Sequence, residues 1–137
     1  MMKNIFVCFF LFLILILYIK NKCEYFSERF INKCYVINLD RRKDRLKHIT
    51  KQCKNANIDF ERFRACDGNN INKYKKYIDK YFDKNNKLTK GQIGCALSHI
   101  LIWEKILKNN DKNTLILEDD AIIDVNFWDK INILKDD

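Results

Sequence analysis

Proline is absent from the chain, and its 137 residues include only three glycines. That composition excludes a collagen-like repeat and a Gly/Pro-rich disordered chain. No segment repeats another, so solenoid and propeller architectures are also out. Histidine is scarce as well, with His48 and His99 the only two. The six cysteines (Cys8, Cys23, Cys34, Cys53, Cys66 and Cys95) include no C-x-x-C pair. A structural zinc site therefore has no suitable spacing. The scatter of cysteines leaves the redox compartment open.

What is present is enough for one domain. Hydrophobic residues make up 47% of the chain, which suits one compact core and not two. Lys and Arg number 26 against 18 Asp and Glu, a net charge of +8. A solvated basic surface is the plainest reading of that excess. Attraction to an anionic small ligand or to membrane headgroups is the next. Nucleic acid is not an expected partner, because no helix-turn-helix, zinc or RRM signature accompanies the charge.

The run IFVCFFLFLILILYI, residues 5–19, is apolar on every face and flanked by Lys3, Lys20 and Lys22. With the preceding residues it approaches the roughly 20 that span a bilayer. No small-x-small cleavage site follows it. Residues 1–22 are therefore expected to be an uncleaved signal anchor, with a cleaved signal peptide as the alternative. Residues 23–33 read as a connector and 34–137 as the domain. The expected location is a membrane, as a single-pass protein, within the secretory pathway if the source is eukaryotic or viral. The flanking charges are too even to orient the span.

Beyond the connector, CYVINL (34–39) is a β-rich apolar run of strand length ended by Asp40. A helix is expected over 41–53, where Leu46, Ile49 and Cys53 share one face. IDFERF (58–63) alternates like a second strand and runs to the turn signal Asp67-Gly68. Residues 71–82 have helical spacing suited to a surface helix. Thr89 and Gln92 match a capping box opening a long helix that is apolar on most of its circumference. That helix is expected to be buried, with Trp103 in the core. TLIL (114–117) reads as a third strand, and Asp124 as the cap of a terminal helix carrying Phe127, Trp128, Ile131 and Leu134. This alternation predicts an α/β fold, a parallel or mixed sheet flanked by helices. Ligands in such folds bind beyond the carboxyl ends of the strands.

The segment LILEDDAII puts three carboxylates at one such end. Adjacent like charges repel, and burial raises the cost. A hard cation such as Mg²⁺ or Mn²⁺ is the simplest compensation; an acidic loop meeting solvent or capping a helix is the other reading. Extended geometry would send Glu118 and Asp120 to one side and Asp119 to the other. His99 reads as a packing residue. Ser98 and His99, about 100° apart on a helix, do not make a nucleophile–base pair.

Together YVINLDRRKDR, FRACDG, KGQIGCALSHILIW and LILEDDAII, in this order, resemble glycosyltransferase family 25, which includes lipooligosaccharide glycosyltransferases and collagen hydroxylysine galactosyltransferases. All three glycines fall inside these blocks. The resemblance implies a GT-A-type, Rossmann-like fold, a UDP-galactose or UDP-glucose donor, Mn²⁺ (or Mg²⁺), and a glycan or hydroxylated protein as acceptor. By the same analogy Asp120 is the best metal ligand with Glu118 assisting, and Asp119 faces the ribose or metal. Asn38, Asp40, Arg42 and Arg45 are candidates for the nucleotide pocket, and Gly91 for close approach of the donor to a helix start. Two departures stand out. Gln92 replaces a frequent Glu, and the family pattern continues past Asp137. The resemblance thus covers the donor-side half, with the catalytic base expected outside it. A catalytically incomplete remnant and a basic membrane-tethered binding module are the alternative functions.

Overall fold

A computed structural model describes residues 30–133. The expected N-terminal anchor lies outside the described residues. So does Leu134.

β1 (Lys33–Asn38) is the central strand of a three-stranded parallel sheet of order β2-β1-β3 among the described residues. β2 is Glu61–Arg64 and β3 is Thr114–Glu118. The register pairs Ile37 with Phe63 on one side and with Glu118 on the other, so all three strands end at one edge. Between its polar ends β1 is apolar, from Cys34 to Ile37, because both of its faces are covered, as parallel strands require. Cys34 and Val36 pack with Ile49, Cys53 and Ile58 on one face. Tyr35 and Ile37 pack with Ile102 on the other. Burial this complete stabilises by about 1.5–3 kcal/mol for each large aliphatic side chain.

The first face is covered by α1 (Lys43–Asn55), which presents Leu46, Ile49 and Cys53 as its spacing predicts. The second is covered by α3 (Lys90–Asn109). Between them come a 3₁₀ segment, Gly68–Tyr74, and α2 (Lys75–Tyr81), neither of which buries a residue. The single helix expected over 71–82 is thus two pieces, 3₁₀ as far as Tyr74 and α-helical from Lys75, with the break at Tyr74, whose φ of -106° and ψ of 12° are not helical. α4 (Phe127–Ile133) closes the described chain. Asp124 precedes it, accepting from the Asn126 amide at 2.7 Å, and Trp128 Nε1 donates to Ala56 O at 2.6 Å.

Few glycines leave the left-handed backbone positions to asparagine. Asn57, Asn110 and Asn113 have φ of 52°, 55° and 45°. Asparagine tolerates this region better than other non-glycine residues. Asn57 lets the Ile58 amide reach Cys53 O at 2.8 Å and close α1. Ile58 is therefore spent on the helix end and the core, which is why β2 pairs only from Glu61 and not from Ile58 as expected.

The capping box at α3 is as expected. Thr89 Oγ1 accepts from the Gln92 amide at 3.2 Å, and Gln92 Oε1 from the Thr89 amide at 2.9 Å. Its predicted burial needs correction. Gly94, Leu97, Ser98 and Ile102 form one buried stripe, whereas Trp103 is 53% exposed and Leu107 80%. A helix laid on one sheet face buries one side, and α2, which reaches α3 through Lys80 and Tyr81 on Glu104, leaves Trp103 and Leu107 largely exposed.

Candidate functional site at the carboxyl edge of the sheet

A cavity of about 360 Å³ opens where the three strands end. Its floor and one wall come from Ile37, Glu118 and Asp119; Arg41, Arg42 and Arg45 follow β1; Lys90, Gly91, Cys95 and His99 lie along the start of α3. The loop after β2, Cys66 to Asn69, closes the far side.

Two glycines set the depth of this pocket. A Cβ on Gly94 would lie 2.6 Å from Cys66 O, and one on Gly68 would lie 2.5 Å from Lys90 O. Helix and loop therefore press backbone to backbone. Ser98 stitches the same contact: its hydroxyl accepts from the Cys66 amide at 2.8 Å and donates to Gly94 O at 2.7 Å. Ser98 is thus structural. Gly91 differs, since a Cβ there meets nothing nearer than Thr89 Oγ1 at 4.0 Å. No protein neighbour demands glycine at that position.

Asn38 is fully buried at the tip of β1. Its amide nitrogen donates to Asp119 Oδ2 at 2.7 Å and to Arg42 O at 3.0 Å, and its oxygen accepts from Arg62 Nε at 2.9 Å. Asp119, with a side chain only 9% exposed, also accepts from Arg45 Nη1 at 3.2 Å. The same nitrogen reaches Asp120 Oδ2 at 2.9 Å. The acidic segment and the loop after β1 therefore meet directly, and Arg45 relieves part of the carboxylate crowding.

Asn38 anchors the cavity from behind without lining it. Asp40 turns outward to Arg62 and Arg64, at 2.8 and 3.0 Å, and Asp120 also lies off the wall. Arg42, Arg45, Gly91, Glu118 and Asp119 do converge on the cavity. The expected sidedness of the triplet fails because β3 stops at Glu118. Asp119 and Asp120 lie in a turn closed by the Ala121 amide on Glu118 O at 3.1 Å, where period-two alternation no longer applies. A hard cation needs oxygen donors. Glu118 and Asp119 supply two on the cavity wall, and Asp119 retains lone pairs beyond its two hydrogen bonds. The chemistry of these two donors fits such an ion, while Asp120, the ligand that the resemblance favours, lies off the cavity wall.

Arg41, Asp67, Asn69, Lys90, Cys95 and His99 were not singled out as site residues by sequence. Asp67 accepts from the Asn69 amide at 2.9 Å and from Arg41 Nε at 3.2 Å. These two contacts, the amide first, hold its carboxyl below the usual range. His99 is not a packing residue: its Nε2 lies 3.2 Å from Glu118 Oε1 across the cavity wall. Burial, and then the Glu118 charge, push the Cys95 thiol up. The four-residue spacing of Cys95 and His99 on a helix was the available signal for this pair.

A Rossmann-like α/β domain with clustered guanidinium groups, a helix start and carboxylates around one strand-end cavity defines a class of ligand-binding α/β proteins. Comparison with known proteins narrows the class. The chain belongs to glycosyltransferase family 25, whose model, described as "Glycosyltransferase family 25 (LPS biosynthesis protein)", matches residues 31–137. It is 34% identical to a glycosyltransferase 25 family member of Aedes aegypti over 78% of this chain and 19% of that protein. It is 30% identical to procollagen galactosyltransferase 2 of Mus musculus, over 83% and 20%. A procollagen lysyl hydroxylase and glycosyltransferase of Acanthamoeba polyphaga mimivirus is 32% identical, over 73% and 13%. The chain spans no more than a fifth of the length of these three relatives.

Proposed function

We propose that residues 31–137 form the donor-binding part of a GT-A-type, metal-dependent transferase. It moves a hexose, galactose or glucose, from a UDP-sugar to a hydroxyl of a glycan or hydroxylated protein. The observation that carries this reading is the meeting, in one cavity, of Arg41, Arg42, Arg45 and Lys90 with Glu118 and Asp119. A diphosphate suits the basic side. Guanidinium groups pair with its oxygens bidentately, and the start of a 20-residue helix adds amide donors and a favourable dipole. Gly91, with open space at its Cβ position, suits close approach of a phosphate there.

In this reading Arg42 and Arg45 orient the diphosphate, and Asn38 holds Asp119 in place from behind. Glu118 and Asp119 would hold Mn²⁺ or Mg²⁺, which when bound supplies Lewis-acid neutralisation of the departing diphosphate. The N-terminal apolar run would tether the domain to a membrane. The relative named procollagen galactosyltransferase 2 lends support to galactose and to a protein acceptor.

Thermal unfolding of the full chain with UDP and Mn²⁺ tests this. Ligand at about 100 times its Kd stabilises by roughly 2.7 kcal/mol, a rise of several degrees in Tm. Arg42→Ala and Glu118→Ala should each remove most of that rise. A cooperative transition that UDP and Mn²⁺ leave unmoved would overturn the assignment.

A further inference from the structure

We propose that Cys95, His99 and Glu118 form a second kind of metal site, one for a thiophilic divalent ion of the zinc class, on the wall of the same cavity. One ligand atom from each of the three lies within 4.8 Å of the other two, the one such group of three among the described residues. Ligands around a tetrahedral zinc, at about 2.0–2.3 Å from the ion, are about 3.3–3.8 Å from one another. His99 Nε2 and Glu118 Oε1 are already at 3.2 Å. Closure needs only a modest rotation of the Cys95 and Glu118 side chains, both of them exposed.

The fold explains the placement. Cys95 and His99 are four residues apart on α3 and so stand one above the other on the same face. The close approach of Gly94 to Cys66 O and the Ser98 stitch fix that stretch of helix against the loop after β2. Glu118 is delivered by the end of β3. The Trp103 ring, 6.1 Å from His99 and tilted 52°, limits where the imidazole can swing. A thiolate, a neutral imidazole and a carboxylate balance a 2+ charge, and three protein ligands leave a fourth position open. The soft sulfur and the imidazole select zinc over the hard ions that oxygen ligands prefer.

The site shares Glu118 with the proposed donor-side cation, so the two ions would compete for that carboxylate, but it does not require the donor reading. Titration of the full chain with Co²⁺, a spectroscopic stand-in for Zn²⁺, is done without any nucleotide. The expected result is one equivalent of saturable binding with thiolate-to-cobalt charge-transfer absorption, displaced by one equivalent of Zn²⁺. Cys95→Ser should abolish that absorption, and His99→Gln should weaken Zn²⁺ binding by about 100-fold or more, at least the upper end of what losing an outer-shell partner costs. Since both positions face the cavity, each variant should melt like the parent chain without metal, which shows that lost binding is not lost folding. Charge-transfer absorption that persists in Cys95→Ser, or no saturable Co²⁺ binding by the folded parent, would overturn the proposal. Because UDP and Mn²⁺ are absent, neither result depends on whether the donor assignment stands.

Discussion

Glu118 and Asp119 are sequence neighbours in opposite surroundings. Asp119 is locked into a network with Asn38, Arg45 and, through Asn38, Arg62. Its side chain is 9% exposed against 54% for Glu118, whose carboxylate stands beside His99 and Cys95. One residue is held by charge-assisted hydrogen bonds shielded from water; the other stands in a half-solvated corner beside His99. The contrast teaches that a run of carboxylates need not act as a unit. Where the strand ends, each takes the role its neighbours leave it.

Stability measurements break this comparison most directly. Asn38→Ala should cost most, about 3 kcal/mol, because it leaves Asp119 and Arg62 without a buried partner. Urea denaturation of the full chain measures it, and a loss below about 1 kcal/mol would mean the network is not held rigidly. Asp119→Ala should follow at about 2 kcal/mol. Glu118→Ala in the same assay should stay within about 0.5 kcal/mol. Equal costs at 118 and 119 would erase the distinction. Gly94→Ala is expected to cost about 1–2 kcal/mol, since its Cβ would sit 2.6 Å from Cys66 O and push α3 off the loop. It should also weaken metal binding at the Cys95 corner, whereas Asp119→Ala should not.

The smallest effect concerns acid. Asp67 and Glu61 both have carboxyls held below the usual range, Asp67 by the Asn69 amide and Arg41, Glu61 by Lys105 and Lys33. A depressed folded-state value contributes stability that is present above the unfolded value, near pH 4, and is lost as pH falls through the folded one. Stability should therefore be flat from neutrality down to about pH 4 and decline below it. Asp67→Asn should shallow that decline, as read by thermal melts across the range.

Much of the architecture was legible. β1, α1, the capping box of α3 and β3 follow from apolar periodicity and local capping chemistry, which act over a few residues. The start of β2 and the outer face of α3 were not. Ile58 is claimed by the end of α1, a competition visible only when both elements are placed. Trp103 and Leu107 look like core residues by composition, yet one sheet face can cover only one side of the helix.

The candidate site divides in the same way. Sequence alone determined family membership, the alternating α/β order and the arrival of the acidic segment beside the loop after β1. These depend on motifs and on the rule that parallel strands share a carboxyl edge. Tertiary structure alone decided that Asn38 supports the cavity from behind, that Asp119 rather than Asp120 faces it, and that Cys95 and His99 meet Glu118. Those outcomes turn on distances between elements up to 81 residues apart and on the turn that ends β3, and neither is encoded in local periodicity.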